Sequence, residues 1–130
     1  MFDYNKIWQS QNNSHKYHPS VRNRYDLILN TLRDIPFSSL LDVGCGDGEL
    51  LHLLSSYFPN VSYTGIDSSS FIIKKNQSRY RSFDFTCTDI LNITSLPDTL
   101  FDVVICSEVI EHIPEYNKAL DSIMKLVTPG

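Results

Sequence analysis

The sequence predicts an α/β protein, a doubly wound parallel sheet that ends after its fourth strand and the helix following it. Three observations carry the prediction. Strand-like apolar runs alternate with helix-like ones, the order that produces parallel strands joined by right-handed crossovers. The run Phe101–Cys106 is apolar almost without interruption, as expected of a strand covered on both faces. The stretch Leu40–Glu49 passes from an apolar strand through Gly44, Gly46 and Gly48 into the helical pattern Leu50–Leu54. A strand that stops at such a turn and restarts as a helix brings bare backbone up to a ligand. Glycine is needed there because a Cβ would block both the dihedrals and the approach.

The elements follow in order. Residues 1–19 are rich in Asn, Gln, Ser, His and aromatic residues and read as an arm, with at most a short helix around Tyr4–Gln9. Residues 20–130 make the one domain that this length allows. Ser20 can cap a first helix carrying Val21, Tyr25, Ile28, Leu29 and Leu32 on one face, and Pro36 ends it. Strands are expected at Ser39–Val43, Val61–Ile66, Phe83–Cys87 and Phe101–Cys106. Helices are expected at Gly48–Phe58, closed by Pro59 and Asn60, and from Phe71 to about Tyr80, capped within Ser68–Ser70. Asn92–Thr99 reads as a polar connection containing Pro97. Pro114 fits the first turn of a last helix that runs to about Val127, with Ala119, Leu120, Ile123 and Val127 as its core face.

Composition narrows the function classes. Eleven Lys and Arg stand against 15 Asp and Glu, a formal net charge of −4, and Lys74, Lys75, Arg79 and Arg81 form the densest basic stretch. That balance gives no support for binding a long phosphate backbone, which calls for a basic face. Cys45, Cys87 and Cys106 form no C-x-x-C pair, and their odd count without framework spacing argues for a reducing compartment. Met1–Gln11 lacks the apolar core of a signal peptide, and no apolar run approaches membrane-spanning length. A cytoplasmic location with no membrane partner is expected.

The glycine spacing separates two ligand classes. A dinucleotide turn calls for G-x-G-x-x-G, with a pyrophosphate on the helix N-terminus. Here the glycines fall as G-x-G-x-G, and Glu49 stands where the third dinucleotide glycine would be. An acid at the opening of a helix suits the dipole but repels a pyrophosphate. Asp42 adds a negative charge just ahead of the turn. Carboxylates at the mouth, without a Lys or Arg beside them in sequence, favour a cationic or zwitterionic ligand. S-adenosylmethionine, with its ammonium and sulfonium, meets that demand.

The string Leu40-Leu41-Asp42-Val43-Gly44-Cys45-Gly46-Asp47-Gly48 resembles the first motif of the class I S-adenosylmethionine-dependent methyltransferases. Further strings match in the family's order. Tyr63–Asp67 resembles the end of its second strand, Thr88–Ile90 its adenine-contacting segment, Phe101–Glu108 its fourth strand, and Leu126–Gly130 the turn before its fifth. The resemblance spans about residues 20–130 and implies a Rossmann-like sheet and S-adenosylmethionine as cofactor. It also implies that the C-terminal part of the domain, with much of the acceptor pocket, is missing. Strand Phe101–Cys106 would then be an unpaired apolar edge, and a dimer through that edge is expected.

In such a sheet the ligand lies outside the carboxyl ends of the strands. Strand order alone places there the glycine turn, Asp67, Asp89, and Ser107 with Glu108. On pattern Asp67 serves equally as a helix cap or a ribose ligand, and the resemblance favours ribose. Asp89 can cap a turn at Leu91 and Asn92 or accept from the adenine amine, with Ile90 as an apolar wall. The cofactor-binding set is therefore Asp42, Gly44, Cys45, Gly46, Gly48, Asp67, Ser68, Asp89, Ile90, Ser107 and Glu108. Of Tyr17, His18, Arg22 and Arg24, one arginine is expected to meet the cofactor carboxylate and the rest to form a solvated face. His52, among leucines, reads as a surface or satisfied histidine.

Glu108-Val109-Ile110-Glu111-His112 is a second cluster. If it is helical, Glu108, Glu111 and His112 share a face and form a half-site for magnesium or manganese. The string resembles the E-V-I-E-H element of small-RNA 2′-O-methyltransferases and the E-V-L-E-H of quinone-biosynthesis O-methyltransferases. Glu108, Glu111 and His112 are also the clustered acid–base candidates for a hydroxyl acceptor. The expected function is methyl transfer to a small molecule or an RNA terminus, with oxygen favoured. The alternatives are a non-catalytic cofactor-binding or partner-completed module and a metal-dependent RNA 2′-O-methyltransferase fragment. A nucleotide-sugar or NAD enzyme is disfavoured by Glu49.

Overall fold

The computed structural model describes residues 19–93, 96, 99–107 and 109–129, with the backbone alone at Pro19, Ser20, Val21 and Glu111. The arm and its Tyr4–Gln9 helix lie outside these residues. Helix α1 (Pro19–Leu32) precedes β1 (Ser39–Val43), α2 (Glu49–Tyr57), β2 (Ser62–Asp67), α3 (Ser70–Arg79), β3 (Asp84–Cys87), β4 (Val103–Cys106) and α4 (Tyr116–Met124). A short 3-10 turn covers Ile110–His112 between β4 and α4.

The strands form one sheet in the order β3-β2-β1-β4, parallel at every pairing. The chain adds β2 and β3 on one side of β1 and then crosses to place β4 on the other. The switch in strand order therefore falls between β1 and β4, and a crevice opens there at the carboxyl edge.

Alternation along β1 divides the core into two layers. Leu40 belongs to a layer with Leu50, Leu51 and Leu54 of α2, Ile72 and Ile73 of α3, and Leu32 of α1. Leu41 and Val43 belong to the opposite layer, with Ile66, Ile90, Phe101, and Ala119 and Ile123 of α4. Successive strand residues point to opposite faces, so α1–α3 cover one side and α4 the other. Leu40, Leu41, Leu51 and Leu54 are fully buried, each worth roughly 1.5–3 kcal/mol.

Local chemistry sets the helix limits. Gly48 stands at the N-cap of α2 with φ of 78°, and Glu49 meets the positive end of the dipole. Ser69 caps α3, its hydroxyl accepting the Ile72 N–H at 3.3 Å. Helix α1 already includes Pro19, so Ser20 lies inside it rather than at its cap. Asp102 ties the amino edge of the sheet: it accepts the Ser38 N–H at 2.8 Å and the Ser38 hydroxyl at 2.9 Å. These bonds hold its carboxyl below the ordinary value.

The last segment departs from the expected pattern. Helix α4 stops at Met124 and buries Ala119 and Ile123, while Leu120 is exposed. Val127 has left the helix and bridges Phe101 in parallel, with Phe101 N–H to Leu126 O at 2.7 Å and Thr128 N–H to Phe101 O at 2.9 Å. Backbone pairing outweighs the helical spacing because these hydrogen bonds satisfy groups that a frayed helix end would leave open. Strand β4 is shorter than expected and only half-buried, at the edge of the sheet. Among the described residues its outer side is paired only at Phe101, just before the strand. No helix among the described residues is long and apolar enough to cross a membrane.

Candidate functional site

The turn after β1 is held on every side. Gly44, Gly46 and Gly48 have φ of 72°, 55° and 78°, the left-handed region that favours glycine. The Gly44 and Cys45 N–H groups both donate to Ile66 O, at 2.8 and 2.9 Å, which ties the turn to the end of β2. Gly44 lies under Val109: a Cβ built there would stand 2.2 Å from Val109 Cγ2. The segment after β4 therefore closes over backbone, across the switch point.

Two buried carboxyls flank this turn. Asp42, one residue from the end of β1, is 4% exposed and sits in register with Gly65 and Ile105. Burial pushes its pKa up to about 8, neighbouring Asp67 adds to the rise, and Arg24 pulls it back down. Asp67 ends β2 and is also buried. Its Oδ2 accepts the Gly46 N–H at 3.1 Å and its Oδ1 accepts the Ser69 N–H at 2.9 Å. Burial raises its pKa, and backbone N–H groups of Ser69, Gly46 and Ser68 oppose the rise. Asp67 is thus bound to the glycine turn, and Ser69 is the cap of α3.

Helix α1 brings groups to the same place. Arg24 is near enough to Asp42 to act on its titration, and Tyr25 feels Asp47, Asp42 and Glu49. Burial first, and those acids next, push Tyr25 up to about 12, so it stays a neutral phenol. Arg22 is exposed. Of the two, Arg24 is the arginine directed toward the acidic turn.

The remaining expected residues are distributed around this centre. Cys45 is buried, and burial together with Asp42 and Asp67 raises its thiol well above the ordinary value, so it is a packed thiol and not a nucleophile. Ser68 is exposed beside Asp67. Asp89 is exposed, and its Oδ1 accepts the Leu91 N–H at 2.9 Å, the turn-capping geometry. Ile90 is packed in the second core layer with Ile66 and Phe101. Ser107 is half-buried at the end of β4. His52 is exposed, its ring centroid 5.3 Å from that of Tyr80.

The described part of the Glu108–His112 cluster, residues 109–112, is not an α-helix: Ile110–His112 is a 3-10 turn, and His112 is exposed. Glu108 and the Glu111 side chain lie outside the described residues, and among those described no group of three or more metal-ligating side chains assembles. A separate cavity of about 350 Å³ opens between α2 and the α3–β3 connection, lined in part by His52, Tyr63, Arg79 and Phe83. None of the turn residues lines it.

Sequence reasoning missed a residue that holds the turn. Asn76 of α3 is 1% exposed, and its Nδ2 donates to Gly46 O at 2.6 Å. Its only signal was position: it follows Ile72 and Ile73 at helical spacing, on the core face of α3.

Comparison with known proteins agrees with this geometry. A family model described as a methyltransferase domain matches residues 41–130. The chain is 32% identical over 108 residues to an uncharacterised methyltransferase of Mycobacterium bovis, covering 82% of this chain and 53% of that protein. It is 33% identical over 95 residues to the ubiquinone biosynthesis O-methyltransferase of Coxiella burnetii, covering 70% of this chain and 39% of that one. The chain thus spans about half the length, or less, of these relatives. Among solved structures, the N-methyltransferase NodS of Bradyrhizobium japonicum in complex with S-adenosylhomocysteine superposes with a TM-score of 0.80 at 22% identity, covering 99% of this chain and 70% of that one.

Proposed function

The chain belongs to the class I S-adenosylmethionine-dependent methyltransferases, and from that premise we propose that it binds S-adenosylmethionine over the β1 turn and methylates a hydroxyl of a small molecule. The observation that carries the reading is the pair of buried carboxyls, Asp42 and Asp67, set against three left-handed glycines at the carboxyl edge. A low-dielectric site holding two acids and bare backbone suits a cationic ligand that must approach closely. The bound cofactor supplies an electrophilic methyl group on a sulfonium.

The chain's residues hold and align. Asp42 offers a carboxylate to the ligand's positive charge, and Arg24 from α1 meets its carboxylate. Asp67, with Ser68 beside it, accepts from the ribose hydroxyls. Asp89 and Ile90 border the adenine, Ser107 borders the crevice, and Glu108 is assigned to the same site from the sequence alone. Alignment of nucleophile and methyl can contribute up to about 7–11 kcal/mol. A hydroxyl acceptor must also lose a proton, and His112 on the turn after β4, with Glu108 and Glu111, is the proposed base. The kinship to an O-methyltransferase at 33% identity supports oxygen over nitrogen.

Calorimetric titration tests the core of this. S-adenosylhomocysteine is expected to bind one-to-one, and NAD is expected not to bind. A folded protein that ignores S-adenosylhomocysteine, or prefers NAD, overturns the reading. Transfer of labelled methyl from S-adenosylmethionine to phenolic and catecholic compounds, compared with matching amines, tests the acceptor class.

A further inference from the structure

The two peptides that meet at Gly46 are each held by a side chain, and the two side chains come from different elements. The Gly46 N–H donates to Asp67 Oδ2 at 3.1 Å, and the Gly46 carbonyl accepts from Asn76 Nδ2 at 2.6 Å. The Cys45 thiol adds a weaker donor to the same carbonyl at 3.7 Å. A peptide unit is planar and trans, so its C=O and the following N–H point in opposite directions. Drawing the Gly46 carbonyl toward α3 therefore turns the Asp47 N–H away from α3. Asn76 is 1% exposed, and its own Oδ1 finds no hydrogen-bond partner among the described residues. An unpaired buried acceptor is destabilising, and an apolar residue at this position would avoid it. The amide is therefore placed for what its Nδ2 does.

We propose that Asn76 is a positioning residue for the cofactor: through the Gly46 carbonyl it fixes the orientation of the Gly46–Asp47 peptide in the turn over which the ligand lies. This rests on the proposed binding of S-adenosylmethionine. Gly46 at φ of 55° has no side chain to fix its peptide, and Gly44 and Gly48 beside it add none. Asp67 anchors one end of the Gly46 residue and Asn76 the other. The ligand then meets a turn already ordered, which removes an ordering cost from binding.

The test uses Asn76→Leu, which keeps a branched side chain without a donor, and Asn76→Ala. Two quantities are read in the isotopically labelled chain: the residual dipolar coupling of the Asp47 N–H, which reports peptide orientation without ligand, and the affinity for S-adenosylhomocysteine. The Asp47 coupling is expected to depart from wild type while couplings in β1 and β2 hold, with affinity about tenfold weaker. A folded variant that keeps the wild-type Asp47 coupling, or the wild-type affinity, overturns the proposal. A purely structural role would lower the melting temperature and leave that coupling unchanged. Should both variants fail to fold, the unaltered chain still decides: slow exchange of the Asn76 side-chain amide and a scalar coupling to the Gly46 carbonyl are expected, and rapid exchange overturns the inference. A wild-type chain that shows this coupling but binds no S-adenosylhomocysteine overturns the proposed function and the cofactor role with it, while leaving the peptide geometry standing.

Discussion

Replacing Asp42 by Asn should change how folding depends on pH more than it changes the fold. Asp42 is 4% exposed, and its pKa is pushed up to about 8 by burial and by Asp67, against the pull of Arg24. In the unfolded chain the same group titrates near its ordinary value of about 3.9. Between those two values the native state keeps a proton that the unfolded chain has released, so stability falls as pH rises. The slope is about 1.4 kcal/mol per pH unit. It accumulates to roughly 4 kcal/mol by pH 7 and ends once the pH passes the native value. Asn keeps the shape and cannot ionise. The variant is therefore expected to match wild type near pH 4 and to exceed it by several kcal/mol at pH 8. Urea denaturation at pH 5, 6, 7 and 8 reads this, with an unchanged m-value showing that the unfolding transition is the same. Asp67, whose pKa is also raised, leaves a smaller residual slope in the variant. Parallel pH profiles for the two proteins would refute the reasoning. The same residue gives a binding signature. A cation docking beside Asp42 favours its charged form, so wild type should release a proton on binding S-adenosylmethionine at pH 7. Calorimetry in phosphate and in Tris measures that release, and Asp42→Asn should lack it.

Three further outcomes are expected. Gly44→Ala combines a left-handed φ of 72° with a Cβ placed 2.2 Å from Val109 Cγ2. A loss of about 3 kcal/mol is expected by denaturation, and adding Val109→Ala should recover only the steric part, a coupling that a double-mutant cycle resolves. Asp67→Ala removes the acceptor for both the Gly46 and Ser69 N–H groups; S-adenosylhomocysteine affinity should drop more than tenfold and the melting temperature should also fall. His112→Ala is expected to lower methyl transfer about a hundredfold while leaving S-adenosylhomocysteine affinity within about twofold, measured by single-turnover kinetics beside calorimetry.

Much of the architecture was written in local pattern. Apolar runs marked the four described strands to within a few residues, and alternating strands and helices implied the parallel order. The G-x-G-x-G spacing, with Asp42 ahead of it, pointed to the turn that the structure shows at Gly44–Gly48. Pattern was weakest at the end of the chain. Leu120 and Val127 have helical spacing with Ala119 and Ile123, yet Leu120 is exposed and Val127 bridges Phe101. Periodicity records which residues are apolar, and the nearest competing hydrogen-bond partner decides where a helix stops.

The chain by itself determined the layers and the turn, because periodicities of two and 3.6 and the dihedral freedom of glycine are local properties. Tertiary structure decided what the turn's neighbours do. It bound Asp67 to the Gly46 amide, set Asn76 on the Gly46 carbonyl, laid Val109 over Gly44 and raised Asp42 to about 8. Each of these depends on groups that are distant in sequence and brought within a few ångströms by strand order. Desolvation and hydrogen-bond geometry exist only after that packing has taken place.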